Sequence, residues 1–261
     1  KITFARDKSN IVLSTLTTTL PEIVSGAASY SSSIAGYSTS GYCRSSDYLS
    51  SIIRTKINKF IFSDESIHTL STQLTSEFKD FAREYIQSNI QNQYYGYAVG
   101  GRNSYNITTD LITNIRNWID HNTTLKLSFE LDSIFVLSSL LHTKRSNMGT
   151  FCSNSDAFLC GGVNYSAITQ SLIIVEKLNF DTDIITQLIK GLDSPSHHQI
   201  GCADKLSGYL MGNQSKPDGT FDATVGATTA SIYVLPFSTE SLVQTTKQLT
   251  KPRSAAFPVV G

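Results

Sequence analysis

Lys205 to Leu235 reads KLSGYLMGNQSKPDGTFDATVGATTASIYVL, and the rest of the chain is interpreted outward from it. An apolar segment with Leu206, Tyr209 and Leu210 runs into the polar turn Lys216-Pro217-Asp218-Gly219, then into Phe221 and a second segment of small residues. Pro217 fixes φ, Gly219 permits positive φ, and the Thr/Asp-rich residues that follow can cap a helix. The stretch therefore predicts a helix–turn–helix unit.

The same grammar recurs upstream at Gly41-Tyr42, Tyr95-Gly96-Tyr97 and Gly149-Thr150-Phe151. The glycines at 41, 96, 149 and 219 are 55, 53 and 70 residues apart, close to the range of helical-pair arrays. Apolar residues between them fall at helical spacing. The clearest case starts at Asp64 and continues through Ile67, Leu70, Leu74, Phe78, Phe81 and Tyr85. Further helices are predicted over 9–24, 48–61, 111–119, 128–142, 165–178, 182–192 and 240–250. Alternating strand patterns are nearly absent, so the expected fold class is all-α, an array of helical hairpins. The expected organisation is an N-terminal helix with a small-residue segment over 1–46, a hairpin domain over 47–250, and a tail over 251–261.

With 40% hydrophobic residues in 261, the chain can bury a core of its own. Its 21 basic and 21 acidic residues cancel, which leaves no electrostatic footprint for nucleic acid or an anionic membrane. No apolar run is long enough to span a bilayer. The chain is rich in Ser and Thr, and the sequons at Asn106, Asn122, Asn164 and Asn213 fit a secreted glycoprotein. Cys43, Cys152, Cys160 and Cys202 form an even set without zinc or redox spacing, so no metal site is expected. Three pairings are open. Cys152 with Cys160 would staple one loop and leave Cys43 with Cys202 as a long-range clip.

Pro217-Asp218-Gly219-Thr220-Phe221 followed by Ala227-Thr228-Thr229-Ala230-Ser231-Ile232-Tyr233-Val234-Leu235 resembles the α/α-toroid superfamily, and within it the cobalamin carriers. Gly149-Thr150-Phe151 with Tyr165-Ser166-Ala167-Ile168-Thr169 resembles a second copy. The resemblance implies inner helices whose N-termini face a small ligand, a corrinoid for the carriers. It places Tyr95, Tyr97, Tyr105, Phe151, Tyr165 and Phe221 as aromatic walls, with Asn103, Asp156 and Asp222 as polar contacts. The plainer alternative is that these aromatics pack between neighbouring hairpins. The carriers' covering β-domain has no counterpart after Leu235.

Catalysis is not expected. There is no Asp-rich cluster for a toroid cyclase and no Gly-x-Ser-x-Gly elbow. Gly201-Cys202-Ala203-Asp204-Lys205 has Lys where a thioester needs Gln. Asp218 and Asp222 read as turn former and helix cap, and His197-His198 as a solvated loop. Two functions follow: a secreted carrier of a small ligand, or a structural glycoprotein that meets other extracellular proteins or copies of itself. An α/α-barrel glycan hydrolase is a third.

Overall fold

Strands buried on both faces lose the alternation that betrays a strand, because neither side chain of a successive pair meets water. Several strands of this chain are of that kind. The computed structural model describes residues 2–4, 11–13, 27–39, 42–44, 51–53, 56–71, 90–106, 116–164, 170–214 and 228–251. Among the described residues there are strands and no helix, hence none able to cross a membrane.

The hairpin β1 (Ile2–Phe4) and β2 (Ile11–Leu13) comes first. In the first sheet, β3 (Ala28–Ser31) and β4 (Ala35–Thr39) lead into a ribbon, β5 (Tyr42–Arg44) and β6 (Ser51–Ile53), then β7 (Ile57–Ile61) and β8 (Ile67–Thr69). The second sheet repeats this plan with β9 (Ile90–Gln91), β10 (Tyr95–Val99), ribbon β11 (Arg102–Asn106) and β12 (Arg116–Asp120), β13 (Thr124–Ser128) and β14 (Ser133–Val136). The third has β15 (Gly149–Cys152), β16 (Asp156–Cys160), ribbon β17 (Val163–Asn164) and β18 (Gln170–Ser171), β19 (Val175–Asn179) and β20 (Ile185–Gln187). The fourth has β21 (Ile200–Ala203), β22 (Ser207–Gln214), β23 (Thr228–Pro236) and β24 (Val243–Gln248). Each sheet is an up-and-down antiparallel meander of four strands.

The sheets stack face to face, and one core fills each junction. Tyr30 and Tyr37 of the first sheet meet Leu125, Leu127 and Phe129 of the second. Tyr97 and Val99 meet Leu159, Leu178 and Phe180 of the third. Phe151 and Phe158 meet Leu210, Tyr233 and Leu235 of the fourth. Contacts between sheets run through their first strands, β3 with β9, β9 with β15, and β15 with β21. Radial stacking of four-stranded sheets on their first strands is propeller-type packing.

A clamp recurs at all three junctions. In the turn between third and fourth strands, a Phe stacks on an aromatic of the preceding sheet: Phe129 on Tyr37 (5.1 Å), Phe180 on Tyr97 (5.4 Å), Phe237 on Phe158 (5.7 Å). Three residues on, an acidic residue at positive φ takes a Lys from that preceding sheet. The pairs are Lys59–Asp132 (2.7 Å), Lys126–Asp183 (2.7 Å) and Lys177–Glu240 (2.6 Å). Tyr37 and Tyr97 also donate their hydroxyls to Asp132 and Asp183.

These observations overturn the all-α array, and the resemblance to α/α-toroids and cobalamin carriers falls with it. Segment 128–142 is the end of β13, a turn and β14, while 165–178 holds β18 and most of β19, and 182–192 holds β20. The 48–61 and 111–119 segments give β6, β7 and most of β12, and 240–250 gives β24. The 46/47 boundary falls inside the β5–β6 hairpin. Most of 9–24 and 64–85 lies outside the described residues, with β2 and β8 at its described parts. Lys205 to Leu235 opens and closes with the paired strands β22 and β23, and the turn at 216–219 lies outside the described residues. β19 shows the cause. Val175 and Leu178 are buried on opposite faces, each in a different core, so apolar residues at i and i+3 of a strand mimic a helix.

Removing the stacked ring should cost far more than removing the charge. Phe180→Ala is expected to lower unfolding free energy by about 3–5 kcal/mol, whereas Lys126→Met costs about 1 kcal/mol or less because the pair is part-exposed. Guanidinium titration of both variants checks the ranking.

Candidate functional site

The two ends of the stack differ. At one end, first and second strands are joined by three-residue turns, each held by its leading side chain: Ser32 Oγ accepts from Ala35 N, Asn92 Oδ1 from Tyr95 N, Ser153 Oγ from Asp156 N and Asp204 Oδ1 from Ser207 N. The clamp turns lie at this end too. All the long connections sit at the other, where second strands lead to third strands through 40–56, 100–123, 161–174 and 215–227 and the three ribbons project.

The elaborated end is pinned by glycine pairs. Gly100 and Gly101 follow β10, and Gly161 and Gly162 follow β16, all at positive φ. Gly101 N donates to Arg145 O (3.0 Å) and Gly162 N to Ser196 O (2.8 Å), so each pair holds the segment that leads into the next sheet. A Cβ on Gly162 would lie 2.8 Å from Ser146 O, which only glycine avoids.

Polar side chains collect under these crossings. Arg145 is fully buried, with Nη2 donating to Glu176 Oε2 (2.5 Å) and to Leu159 O (3.3 Å). Glu176 Oε1 accepts from His142 N (2.8 Å) and lies 2.6 Å from His142 Nδ1. Burial pushes the Arg145 guanidinium down from its ordinary pKa, and Glu176 opposes that shift. Ser146 Oγ donates to Asp120 Oδ1 (2.9 Å), and Ser171 Oγ lies 2.9 Å from His197 Nδ1. The His197 and His198 rings are 4.9 Å apart. Beside them, the carboxamides of Asn147 and Gln199 and Nδ1 of His198 are buried without hydrogen-bond partners.

Burial sets how these groups titrate. Burial first, then His198 and Arg102, push His197 down to about 3; burial and Arg102 push His198 down to about 4. Both rings are neutral near pH 7. Ser171 and His197 are sealed from solvent, so the Ser–His contact offers a substrate no approach. Burial raises the Cys152 thiol to about 11 and Cys160 to about 12, which keeps both protonated.

The aromatic residues expected to wall a mouth are dispersed. Tyr97 and Phe151 fill junctions between sheets, the second stacked on Phe158 at 5.2 Å. Tyr95 lies under Lys126 Nζ (3.9 Å), and Asp156 Oδ1 accepts from Asn179 Nδ2 (2.9 Å), both beside the tight turns. Asn103 and Tyr105 are on β11, opposite Ile119 and Asn117. Tyr165, Phe221 and Asp222 lie outside the described residues. His197 and His198 are buried and half-buried, not a solvated loop.

Cys152, Cys160 and Cys202 are free thiols. Cys152 faces Ala157 and Cys160 faces Gly149, so the first two are three register steps apart. That is about 10 Å between Cα atoms, beyond the reach of a disulfide. Cys43 is on β5 opposite Ile52, and Cys202 is on β21 opposite Tyr209. Asn106, Asn122, Asn164 and Asn213 all belong to the elaborated end, and Asn122 Nδ2 donates to Leu141 O (3.4 Å). Arg145, Asn147, Glu176 and Gln199 escaped the sequence reading. The signal that could have found them is the doublet Gly100-Gly101 and Gly161-Gly162, spaced by 61 residues.

No family model and no curated protein matches the chain. Among solved structures it is similar to one described as "Structure of YjhT", with 11% identity and a TM-score of 0.71, over 95% of this chain and 78% of that one. At that identity the likeness shows the fold alone.

The buried imidazoles set a pH dependence. Unfolded histidine takes a proton near pH 6.5, which the folded His197 and His198 refuse until about 3 and about 4. Their contribution is full above pH 6.5 and lost as pH falls toward 4, with a slope of about 2–3 kcal/mol per pH unit at most. Denaturant titrations at pH 7.5, 6 and 5 check this, and His198→Asn should flatten the slope. At pH 8 a thiol reagent should label Cys160 only after unfolding.

Proposed function

We propose that this chain is a non-catalytic recognition module that binds an uncharged, hydrogen-bonding ligand on its elaborated end. The observation that carries the reading is the asymmetry of the stack. Every long connection and all three ribbons lie at one end, and repeat insertions on one face are where repeat proteins place their binding surfaces.

The chemistry at that end supports a neutral ligand. Its buried charges are engaged within the chain, Arg145 with Glu176, and Asp120 with Ser146. The groups left over include the carboxamides of Asn147 and Gln199, Nδ1 of His198 and one guanidinium nitrogen of Arg145, Nη1, whose charge is met by Glu176. Such groups match hydroxyls and amides, as on a saccharide, and cannot offset a ligand's net charge. Secretion belongs to the same proposal and is supported by the sequons at Asn106, Asn122, Asn164 and Asn213, all at this end.

A glycan array that includes neutral and acidic saccharides tests the reading. The whole chain should retain a neutral glycan, and replacing residues 103–119 by a two-residue Asn-Gly turn should weaken that binding at least tenfold. Retention of acidic glycans only, or binding indifferent to the ribbon, would overturn it.

A further inference from the structure

The tight-turn end of the stack carries apolar side chains that its turns do not need. In every sheet the turn between first and second strands sits beside the clamp turn, because the clamp Phe donates its backbone N–H to the carbonyl of the residue at the tip. The bonds run from Phe62 to Ile34 (3.0 Å), Phe129 to Tyr94 (3.0 Å), Phe180 to Ser155 (2.9 Å) and Phe237 to Leu206 (2.9 Å). Two turns from each sheet thus form one surface, and the clamp ion pairs lock each sheet's share of it to the sheet before.

Ser155 shows that the tip can be polar, yet Ile34, Tyr94 and Leu206 hold that position in the other sheets. Leu131 stands two residues after its clamp Phe, where the other sheets have Asp64, Thr182 and Thr239. Ile184 stands where they have Ser66, Ser133 and Ser241. All five of these apolar side chains are more than half exposed, and Phe62 is exposed beside Ile34. Of the thirteen large apolar side chains exposed among the described residues, these turns hold six. Scattered singly, such residues need no explanation; gathered on one end of a stack, they mark a contact surface.

Charge selects the partner. The chain as a whole is neutral, but this end is not. The clamp lysines Lys59, Lys126 and Lys177 are taken by Asp132, Asp183 and Glu240. The same turns add the exposed carboxylates of Asp64, Glu130, Asp181 and Asp204 against one exposed cation, Lys205. Hydrogen bonds from Ser66 hold the Asp64 carboxyl below its ordinary pKa, and those from Leu206 N, Tyr209 OH and Ser207 N do the same for Asp204. We propose that the tight-turn end is a docking surface for a basic protein segment in which Lys or Arg is interspersed with aliphatic residues. The aliphatic side chains bury against the exposed apolar ones, the cations meet the carboxylates of the same turns, and the Tyr94 ring offers its face to a cation. Nucleic acid and anionic membranes are repelled by those carboxylates. The surface lies at the opposite end from the long connections, so it is independent of the ligand surface proposed above.

The test titrates the full chain into a fluorescein-labelled peptide of alternating lysine and leucine and follows anisotropy, with a lysine–serine and a glutamate–leucine peptide beside it. The expected result is saturable binding of the lysine–leucine peptide, at least tenfold tighter than either of the others. It should weaken at least tenfold toward about 1 M salt, where the screening length is about 3 Å. Glu130→Lys with Asp181→Lys should weaken it at least tenfold, and so should Leu131→Ser with Leu206→Ser. Ile189→Ser, at an exposed position of the elaborated end, should leave it unchanged. All these side chains are exposed, so each variant should keep its unfolding midpoint. No saturable binding, equal binding of either comparison peptide, or binding indifferent to the turn substitutions would overturn the proposal. Self-association of the chain that Leu131→Ser with Leu206→Ser abolishes would make a second copy the occupant, and would overturn it too.

Discussion

Stacked sheets have no shared backbone hydrogen bonds to hold them in register, so side chains must fix how one sits on the next. Here the acidic residue at positive φ performs that task. Asp132, Asp183 and Glu240 occupy a conformation that costs a side chain energy. It turns each carboxylate back toward the preceding sheet, where a Lys waits on the third strand. The register partner of that Lys on the second strand is the aromatic on which the turn's Phe lies. One four-residue segment of each turn, from the Phe to the acidic residue, thus sets both separation, through the ring, and lateral position, through the ion pair. The ring supplies most of the stabilisation, because stacked aromatics inside a core outweigh a part-exposed salt bridge.

With the clamp turns fixed at one end, the other end is free to vary in length. The second-to-third connections there range from a short ribbon at 163–171 to a long one at 102–120, without disturbing the sheet that carries them. Their bases are held by the glycine pairs, which bring backbone of one sheet against the segment leading into the next. That close approach excludes water from Arg145, Ser146, Asp120 and Glu176, and their mutual pairing offsets the desolvation. A binding surface can therefore change without loss of fold.

Some of this was legible in the sequence and some was not. A repeat of about 55 residues was visible, and Gly96 and Gly149 do belong to repeating units. They belong to different strands of the unit, however: Gly96 sits in a second strand against the Tyr30 ring, and Gly149 in a first strand under Gln199. Reading both as one turn position produced a hairpin array in place of a meander. The apolar pattern reinforced the error, since β10, β13, β16 and β19 are buried on both faces and carry no clean alternation. Where burial does alternate, in β3, β4 and β15, the strands are only four or five residues long.

The polar cluster was harder still, because its members come from separate units and are joined only by stacking. Arg145 and Glu176 are 31 residues apart, and Asn147 and Gln199 are 52 apart. Nothing local marks Asn147 as different from the many other asparagines of this chain. What distinguishes it is its place beneath the start of the next sheet, where His198 takes its carbonyl and burial removes its water. The chemistry of the elaborated end is thus a property of the junction between sheets, which the period of a repeat foretells only when every residue of that repeat is placed on its strand.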